Sequence, residues 1–186
     1  MSLSCSTLFL CKEGYMETTI HRWVSLKPVH ARLEQEEFFY LLYEKSREPE
    51  MALWNWTEQE KKTFLRMQYD FQCRSYQWQY PNLVGRMIHY RGQPVGKLVT
   101  VCGDRELRLI DLIIHPDFQG LGIGTSVVVK LQHEARVRRM PLGLSVQSHN
   151  MRAYKWYVKL GFEKVLEHEA YISMHWVPSI QVKSKS

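Results

Sequence analysis

The stretch HPDFQGLGIG, residues 115–124, decides how the rest of this chain is interpreted. Glycines alternate with other residues at Gly120, Gly122 and Gly124, between an apolar strand-like run and a helix-like run. The first amides of a helix have no partner inside it and carry a partial positive charge. Bare backbone at a helix start therefore favours the binding of an anion, above all a phosphate.

Several interpretations of this loop compete. A P-loop needs Gly-Lys-Ser/Thr, whereas the corresponding GIGTS (122–126) has no lysine. A Rossmann fingerprint has the order Gly-x-Gly-x-x-Gly in a parallel unit, with an acidic residue about 20 positions further on. Here the order is Gly-x-Gly-x-Gly, the upstream strands look antiparallel, and Arg138 and Arg139 lie at that distance. A diphosphate held by loop amides, with Gln119 ahead of them, is the third interpretation, and a simple glycine turn is the fourth.

Periodicity and turn signals predict helices and strands on both sides of the loop. Thr57 and Glu60 form a capping box that opens a helix to about residue 78. An apolar face is predicted for this helix, and strands at 83–90, 94–102 and 105–114 are expected to be antiparallel neighbours. The predicted apolar face consists of Phe64, Met67, Phe71 and Trp78. The other predicted elements are strands at 20–26 and 141–147, helices at 29–46, 121–139 and 150–160, an irregular segment at 48–56 and a final hairpin at 162–177.

Two motifs resemble the GNAT superfamily of N-acetyltransferases. Residues 119–124 (QGLGIG) match the signature Q/R-x-x-G-x-G/A, and the preceding LIDLIIHPDF (109–118) resembles the family's fourth strand and its exit. Residues 150–162 (NMRAYKWYVKLGF) match N-x-x-A-x-x-x-Y-x-x-x-G-F at every fixed position. One motif alone would be a weak signal, but two with a strand between them are specific. The resemblance covers about residues 20–177.

This resemblance implies a fold, a co-substrate and a reaction. The fold is α+β (mixed αβα), with a mostly antiparallel sheet of six to seven strands flanked by helices, in which strands four and five splay apart. Acetyl-coenzyme A is the implied acyl donor, its arm lies in that gap, and the acetyl group passes directly to a primary amine in a ternary complex. The loop amides would hold the pyrophosphate. The implied coenzyme contacts are Ile113, Ile114, Gln119, Gly120, Leu121, Gly122, Ile123, Gly124, Thr125 and Asn150.

Tyr157 is the candidate general acid, because it matches the family's motif tyrosine near the coenzyme sulfur. A phenol with a pKa of about 10 stays protonated at neutral pH and can donate to a thiolate. The alternative is an aromatic on the core face of a short helix. Asn150 is expected to cap that helix and to contact the coenzyme arm, two compatible roles. A backbone amide near Ile114 would stabilise the oxyanion.

Asp111 is the candidate base or amine-binding group. It lies in an otherwise apolar strand, LIDLII (109–114), where other family members place a carboxylate, and such a carboxylate must be partnered or its pKa rises. A structural hydrogen-bond acceptor and a water as base remain alternatives, and His115 is a weaker candidate. Some members carry a glutamate where this chain has Ser145, a poor base. That departure leaves open a non-catalytic acyl-coenzyme A binding or sensing protein.

The charge distribution predicts the chemistry of the acceptor. The chain carries a net charge of +6, but residues 34–60 hold eight glutamates against Lys45 and Arg47, a net charge of −6. The first two helices of this fold usually wall the acceptor site, so we expect a cationic primary amine, small or protein-borne. The aromatic residues expected to line the pocket or to pack nearby are Trp54, Trp56, Tyr69, Tyr76, Trp78 and Tyr80.

Composition excludes several other classes of protein. No apolar run approaches the roughly 20 residues that cross a bilayer, and the first apolar stretch is too short for a signal peptide. The four cysteines lack the paired spacings of a zinc site, so we expect a cytoplasmic chain with reduced thiols and no metal. No helix-turn-helix, RNP or zinc pattern supports nucleic-acid binding. We expect a lead-in at 1–17, one domain at 18–178 and a frayed tail at 179–186; a homodimer is compatible with the sequence.

Overall fold

The computed structural model describes residues 22–29 and 33–178, so the expected lead-in and tail lie outside the described residues. No helix in these described ranges is long and apolar enough to cross a membrane. The elements follow in this order: β1 (Val24–Pro28), α1 (Leu33–Met51), α2 (Glu58–Gln79), β2 (Leu83–Tyr90), β3 (Gln93–Cys102), β4 (Leu107–Ile114), a 3₁₀ turn (Pro116–Phe118), α3 (Ile123–Arg138), β5 (Leu142–Gln147), α4 (Met151–Lys159), β6 (Glu163–Glu167) and β7 (Tyr171–Trp176).

Seven strands form one sheet in the order β1-β2-β3-β4-β5-β7-β6. Only β4 and β5 are parallel among the described strand pairs, which confirms the mostly antiparallel mixed fold. The register of β4 and β5 joins residues 107–109 to residues 142–144 and ends there. Beyond Leu109 and Leu144 the two strands are no longer paired, so the sheet opens at its centre.

Helices α3 and α4 pack on one face of the sheet over the larger hydrophobic core. An apolar stripe of α3 faces this core, because each of its residues is at most 1% exposed. These residues are Ile123, Val127, Leu131 and Ala135. Helices α1 and α2 are associated with a second cluster that contains Phe39, Tyr69 and Met87 of β2. The sheet is therefore covered by different helix pairs on its two faces.

The predicted apolar face of α2 is wrong for three of its four residues, and only Phe64 packs against the second cluster. Met67, Phe71 and Trp78 are 62%, 73% and 89% exposed, whereas Leu65 and Tyr69 are buried. The Tyr69 ring lies 5.7 Å and 5.5 Å from the rings of two tyrosines of α1, Tyr40 and Tyr43. A tyrosine can bury its ring and still satisfy its hydroxyl, so the tyrosine side of α2 faces the protein.

The connection between β2 and β3 is the predicted tight turn. Arg91 and Gly92 connect the strands, and both have positive φ, 51° and 84°. This geometry is typical of a type I′ hairpin, whose twist matches that of the strands. The bounds of two other elements differ from those predicted from the sequence. Strand β1 is shifted to 24–28 by its pairing with 86–90, and α1 continues through Pro49, where an irregular segment was expected.

Candidate active site

A bulge in β4 determines where Asp111 points. Val99 lies opposite Asp111 and Thr100 opposite Leu109, so Ile110 is an extra residue in β4. Side chains alternate between the faces of a strand, so without the bulge Leu109 and Asp111 would share a face. Leu109 belongs to the core beneath α3 and α4. The bulge therefore directs Asp111 toward the face that α1 and α2 cover.

Lys97 of β3 is the nearest cation to Asp111. Its Nζ lies 3.8 Å from Asp111 Oδ2, and the two side chains are 9% and 15% exposed. The same ammonium lies 5.6 Å and 5.5 Å from the ring centroids of Phe39 and Tyr69. Oδ2 has no hydrogen-bond partner within the described part of the chain. A buried acceptor without a donor is unusual and indicates a place for a further group.

Burial is the main influence on the acid–base properties of Asp111. It raises the pKa of this carboxyl above the ordinary value, while Lys97, the Leu112 amide and Arg47 act in the opposite direction. A raised pKa makes a carboxylate a better proton acceptor near neutral pH. The partner that the sequence required for a buried carboxylate is therefore present, but it does not outweigh burial.

Two tyrosines approach Asp111 from different helices. Burial raises the pKa of Tyr157 in α4, and the negative charge of Asp111 raises it further. The pKa of Tyr76 in α2 is raised by the same two causes in the same order. Both phenols therefore stay protonated at neutral pH. Tyr157 belongs to the core beneath α3 and α4, so Asp111 interacts electrostatically with groups from both faces of the sheet.

A cleft of about 540 Å³ lies at the starts of α3 and α4 and contains most of the predicted coenzyme contacts. The predicted residues that line it are Ile114, Gln119, Gly120, Gly122, Ile123, Gly124, Thr125, Asn150 and Tyr157. Leu112, Phe118, Arg152, Ala153 and Trp156 also line it and were not predicted. Ile113 does not line the cleft, since alternation places it on the face of Asp111, and Leu121 is 44% exposed instead.

The loop that opens α3 is shaped to leave its amides accessible. Gly120 and Gly122 both have a φ of 76°, a region that favours glycine. Gly122 caps α3 without a side-chain hydrogen bond, and the first turn of α3 contains no acidic residue. Gln119 Nε2 donates to the Ile114 oxygen at 3.0 Å, which fastens the loop to the end of β4. These features suit an anion at the helix start.

Helix α4 closes the other side of the cleft. Asn150 Oδ1 accepts a hydrogen bond from the Ala153 amide at 3.0 Å, which confirms its predicted capping role. Trp156 Nε1 donates to Thr125 Oγ1 at 3.3 Å and ties α4 to α3. A Cβ atom added at Gly124 would lie 3.4 Å from the Trp156 ring, an ordinary contact distance, so the two helices approach closely here. Arg152 adds a positive charge to the lining of the cleft.

Ser145 and His115 make hydrogen bonds that do not suit a base. Ser145 Oγ accepts from Arg108 Nη2 at 2.7 Å, and a neighbouring positive charge opposes the uptake of a proton. His115 Nδ1 accepts from the Asp117 amide at 3.3 Å and thereby caps the 3₁₀ turn. Asp111 is thus better placed as a base than either residue.

Several glutamates of the acidic segment 34–60 have local partners, although Lys45 and Arg47 are already counted in its net charge of −6. Ion pairs join glutamates to nearby cations in four places, and Glu60 accepts from Thr57 in the predicted capping box. These pairs are Glu37–Arg66, Glu48–Lys45, Glu50–Arg47 and Glu58–Lys61. Trp54 and Trp56 pack against each other and Phe64 rather than against Asp111. Support for a cationic acceptor therefore rests mainly on Asp111.

Lys97 was missed by the sequence analysis, although a signal was present. It interrupts the apolar strand PVGKLVTVC (94–102), just as Asp111 interrupts LIDLII (109–114). Two opposite charges in neighbouring apolar strands are expected to pair, because a buried charge is otherwise unstable.

The family model for the acetyltransferase (GNAT) family matches residues 36–162 of this chain. The match extends over more than half of the chain and includes the bulged strand, the glycine loop and α4. The chain therefore belongs to the GNAT family and is an N-acetyltransferase, with acetyl-coenzyme A as its co-substrate. The comparison with curated proteins gave no match.

Solved structures share this fold at low sequence identity. PaiA N-acetyltransferase from Thermoplasma acidophilum, solved with coenzyme A, is 14% identical, with a TM-score of 0.62 over 83% of this chain and 99% of that chain. An acetyltransferase from Thermus thermophilus is 19% identical, with a TM-score of 0.58 over 82% and 94%. The ribosomal-protein-S18-alanine N-acetyltransferase from Escherichia coli is 18% identical, with a TM-score of 0.56 over 88% and 99%.

Proposed function

We propose that this chain moves the acetyl group of acetyl-coenzyme A directly to a primary amine, with Asp111 as general base and Tyr157 as general acid. Two observations carry the proposal: Asp111 lies just beyond the point where β4 and β5 part, and its charge acts on Tyr157. Asp111 comes from the α1/α2 face and has an oxygen without a hydrogen-bond partner in the described residues. Tyr157 comes from the opposite face and also lines the cleft at the start of α3.

The cleft suits acetyl-coenzyme A, which supplies an activated acetyl group when bound. The amides from Gly120 to Thr125 would hold its diphosphate, since α3 begins without an acidic residue or a side-chain cap. Arg152 would add a positive charge to this anion site. Ile114 and Asn150 would contact the arm that leads toward the centre of the sheet.

The side chains supply the proton transfers. An alkylammonium with a pKa of about 10 must lose a proton before its nitrogen can attack. Asp111 in its charged form takes that proton on Oδ2, and its raised pKa suits this task. The nitrogen–carbon bond forms as the carbon–sulfur bond breaks, and the Tyr157 hydroxyl gives its proton to the departing sulfur. The new amide nitrogen then loses its second proton, which restores the Tyr157 hydroxyl. A backbone amide near Ile114 stabilises the charge on the carbonyl oxygen.

The proposed acceptor is a cationic primary amine, either small or borne by a protein. Asp111 supplies a negative charge at the reacting position, and the tyrosine rings of α1 and α2 lie beside it. A panel of amines incubated with acetyl-coenzyme A, with detection of the free thiol, tests the proposal. Cationic amines are expected to react fastest. Better turnover of neutral or acidic amines would contradict the proposed acceptor class.

A non-catalytic acyl-coenzyme A binder is the second candidate function, because Ser145 replaces the glutamate of some family members and is hydrogen-bonded to Arg108. The two candidates differ in one measurement. Calorimetry that detects coenzyme A binding, combined with no thiol release for any amine in the panel, would favour the binder. Thiol release above the hydrolysis rate would exclude it.

A further inference from the structure

Lys97 is a buried cation whose position calls for an explanation. It lies in the middle of β3, within the run 95–100 that is buried throughout. Lysine is almost never buried unless it is paired. Its ammonium lies 3.8 Å from the Asp111 carboxylate and within 6 Å of the ring centroids of Phe39 and Tyr69. These rings restrict where the ammonium can move, since a cation is attracted to an aromatic face.

The geometry of the pair does not suit a role in stability alone. At 3.8 Å the Lys97 Nζ and Asp111 Oδ2 are too far apart for a hydrogen bond, so Oδ2 keeps its capacity to accept one. A buried ion pair is weak evidence for stability, because desolvation of the two charges opposes their attraction. A proton acceptor, in contrast, needs an oxygen that is not occupied by a hydrogen bond, and the attraction to Lys97 leaves Oδ2 in that state.

We infer that Lys97 is a positioning residue for the acetyl transfer: beside Phe39 and Tyr69, its ammonium favours the charged form of Asp111 without a hydrogen bond to Oδ2, which stays able to accept one from the acceptor amine. This inference rests on the proposed function of Asp111. Lys97 acts through Asp111 and takes no proton itself. Its positive charge also opposes a second ammonium at Oδ2, so it favours loss of the acceptor's proton.

The groups around Asp111 come from every element packed against it. Arg47 of α1 adds a second positive influence, Tyr76 of α2 and Tyr157 of α4 are phenols, and the Leu112 amide donates to the carboxylate. Among the influences that favour the charged carboxylate, Lys97 is the largest. Its removal should therefore change the protonation of Asp111 more than removal of Arg47.

The first experiment compares wild type with Lys97 variants in the pH dependence of kcat/KM, measured with the best amine of the panel. An opposite charge at this distance lowers the pKa of a carboxyl by about one to three units, so Lys97→Met should move the acidic limb upward by about that amount. Lys97→Arg keeps the positive charge, so its acidic limb should lie closer to the wild-type pH than that of Lys97→Met. Lys164→Met, at an exposed lysine paired with Glu167, is the control. An unchanged limb in Lys97→Met would overturn the inference; if that variant does not fold, Lys97→Gln serves the same comparison.

The second experiment does not depend on turnover. Carboxyl ¹³C signals of aspartate-labelled protein are titrated, and the Asp111 signal is assigned by its loss in Asp111→Asn. We expect the titration midpoint of the Asp111 carboxyl to rise by about one to three pH units in Lys97→Met as well. A rise without turnover for any amine would support the coupling and reject the proposed function. Turnover with an unchanged midpoint would reject the coupling and leave the proposed function intact.

Discussion

Burial shifts the pKa of Tyr157 and that of Asp111 in the same direction, but the two groups have opposite roles in proton transfer. It raises the pKa of both groups, so the phenol holds its proton and the carboxylate becomes a stronger acceptor. One group can therefore give a proton while the other takes one at the same pH. The charge of Asp111 acts on Tyr157 although the two side chains belong to different faces of the sheet.

We expect Tyr157→Phe to lower turnover by about 10²–10⁴-fold, because the loss of a general acid has that effect. The melting temperature should change little, since only one hydroxyl is removed. Steady-state rates at saturating substrates, measured beside a melting curve, check this. Tyr154→Phe, one turn earlier in α4, is the matched control. Wild-type turnover in Tyr157→Phe would mean that Tyr157 only packs in the core.

Asp111 should also make stability depend on pH. Its pKa is raised in the folded state, so between the unfolded value of about 3.9 and the folded value only the folded chain keeps this proton. The contribution of Asp111 to the free energy of unfolding is therefore fully present below the pKa of the unfolded state. It is lost as pH rises through the pKa of the folded state. Relative to Asp111→Asn, the wild type should lose about 1.4 kcal/mol per pH unit within that window.

Urea unfolding of both proteins from about pH 4 to about pH 8 measures this difference. The slope with pH is the readout, because the altered contacts in Asp111→Asn change mainly the offset. Asp117→Asn, at a carboxylate that is 81% exposed, is the control. A pH-independent difference between wild type and Asp111→Asn would contradict the raised pKa.

The sequence identified Asp111 but not its partner, for a physical reason. A carboxylate in an apolar run is visible in one strand. The contact with Lys97 depends on how β3 and β4 align, and that alignment contains the bulge at Ile110. A shift of one residue moves a side chain to the other face, so the pair could not be derived without the register.

Among the elements, the start of α3 carries the proposed site for the coenzyme diphosphate. We expect Gly122→Asp to abolish the binding of coenzyme A, because it places a negative charge at the helix start proposed for the diphosphate. Gly92→Asp is a matched control. Gly92 also has positive φ, 84°, but lies in the β2–β3 turn with no atom within 4 Å of an added side chain. Calorimetry should show lost affinity only for Gly122→Asp, and equal affinities would reject this anion site.

Helix α2 illustrates which part of the fold the sequence could supply. Its N-terminus followed from the capping box of Thr57 and Glu60, a local pattern. The sequence did not predict which side of α2 is buried. Two apolar stripes run along the helix, and packing against α1 determines which of them is buried. Met67 belongs to the predicted stripe, and Leu65 to the observed one. The two motifs of the glycine loop and α4 were decisive since each is local in sequence.

The orientation of α2 predicts two different effects of truncation. Leu65→Ala should reduce the free energy of unfolding by about 2–5 kcal/mol, because a fully packed side chain is lost. Met67→Ala should change it by less than about 0.5 kcal/mol, since that side chain is mostly in water. Urea unfolding of both variants measures the pair. Similar losses for the two would mean that α2 is rotated relative to the orientation described here.

For the whole molecule, the proposed mechanism brings the two reactants together from opposite sides of one sheet. The cleft lies on the side of α3 and α4, whereas Asp111 faces α1 and α2. Direct transfer then requires both reactants to be bound at once. We expect intersecting lines in double-reciprocal plots and no acetyl group left on the protein after incubation with acetyl-coenzyme A alone. Mass spectrometry that detects a stoichiometric acetyl-enzyme would contradict a ternary complex.

The short register between β4 and β5 has a consequence for motion within the native protein. Residues 107–109 and 142–144 are the part of the sheet that joins β1–β4 to β5–β7, and the strands separate beyond them. Cooperative units of a protein open where few backbone hydrogen bonds cross a boundary. Amide exchange should therefore reveal two blocks: the long hairpins of β2, β3 and β4 protected to nearly the global stability, and β5, β6 and β7 opening together at a lower free energy. A ligand that bridges both blocks would slow exchange on the C-terminal side more than on the N-terminal side.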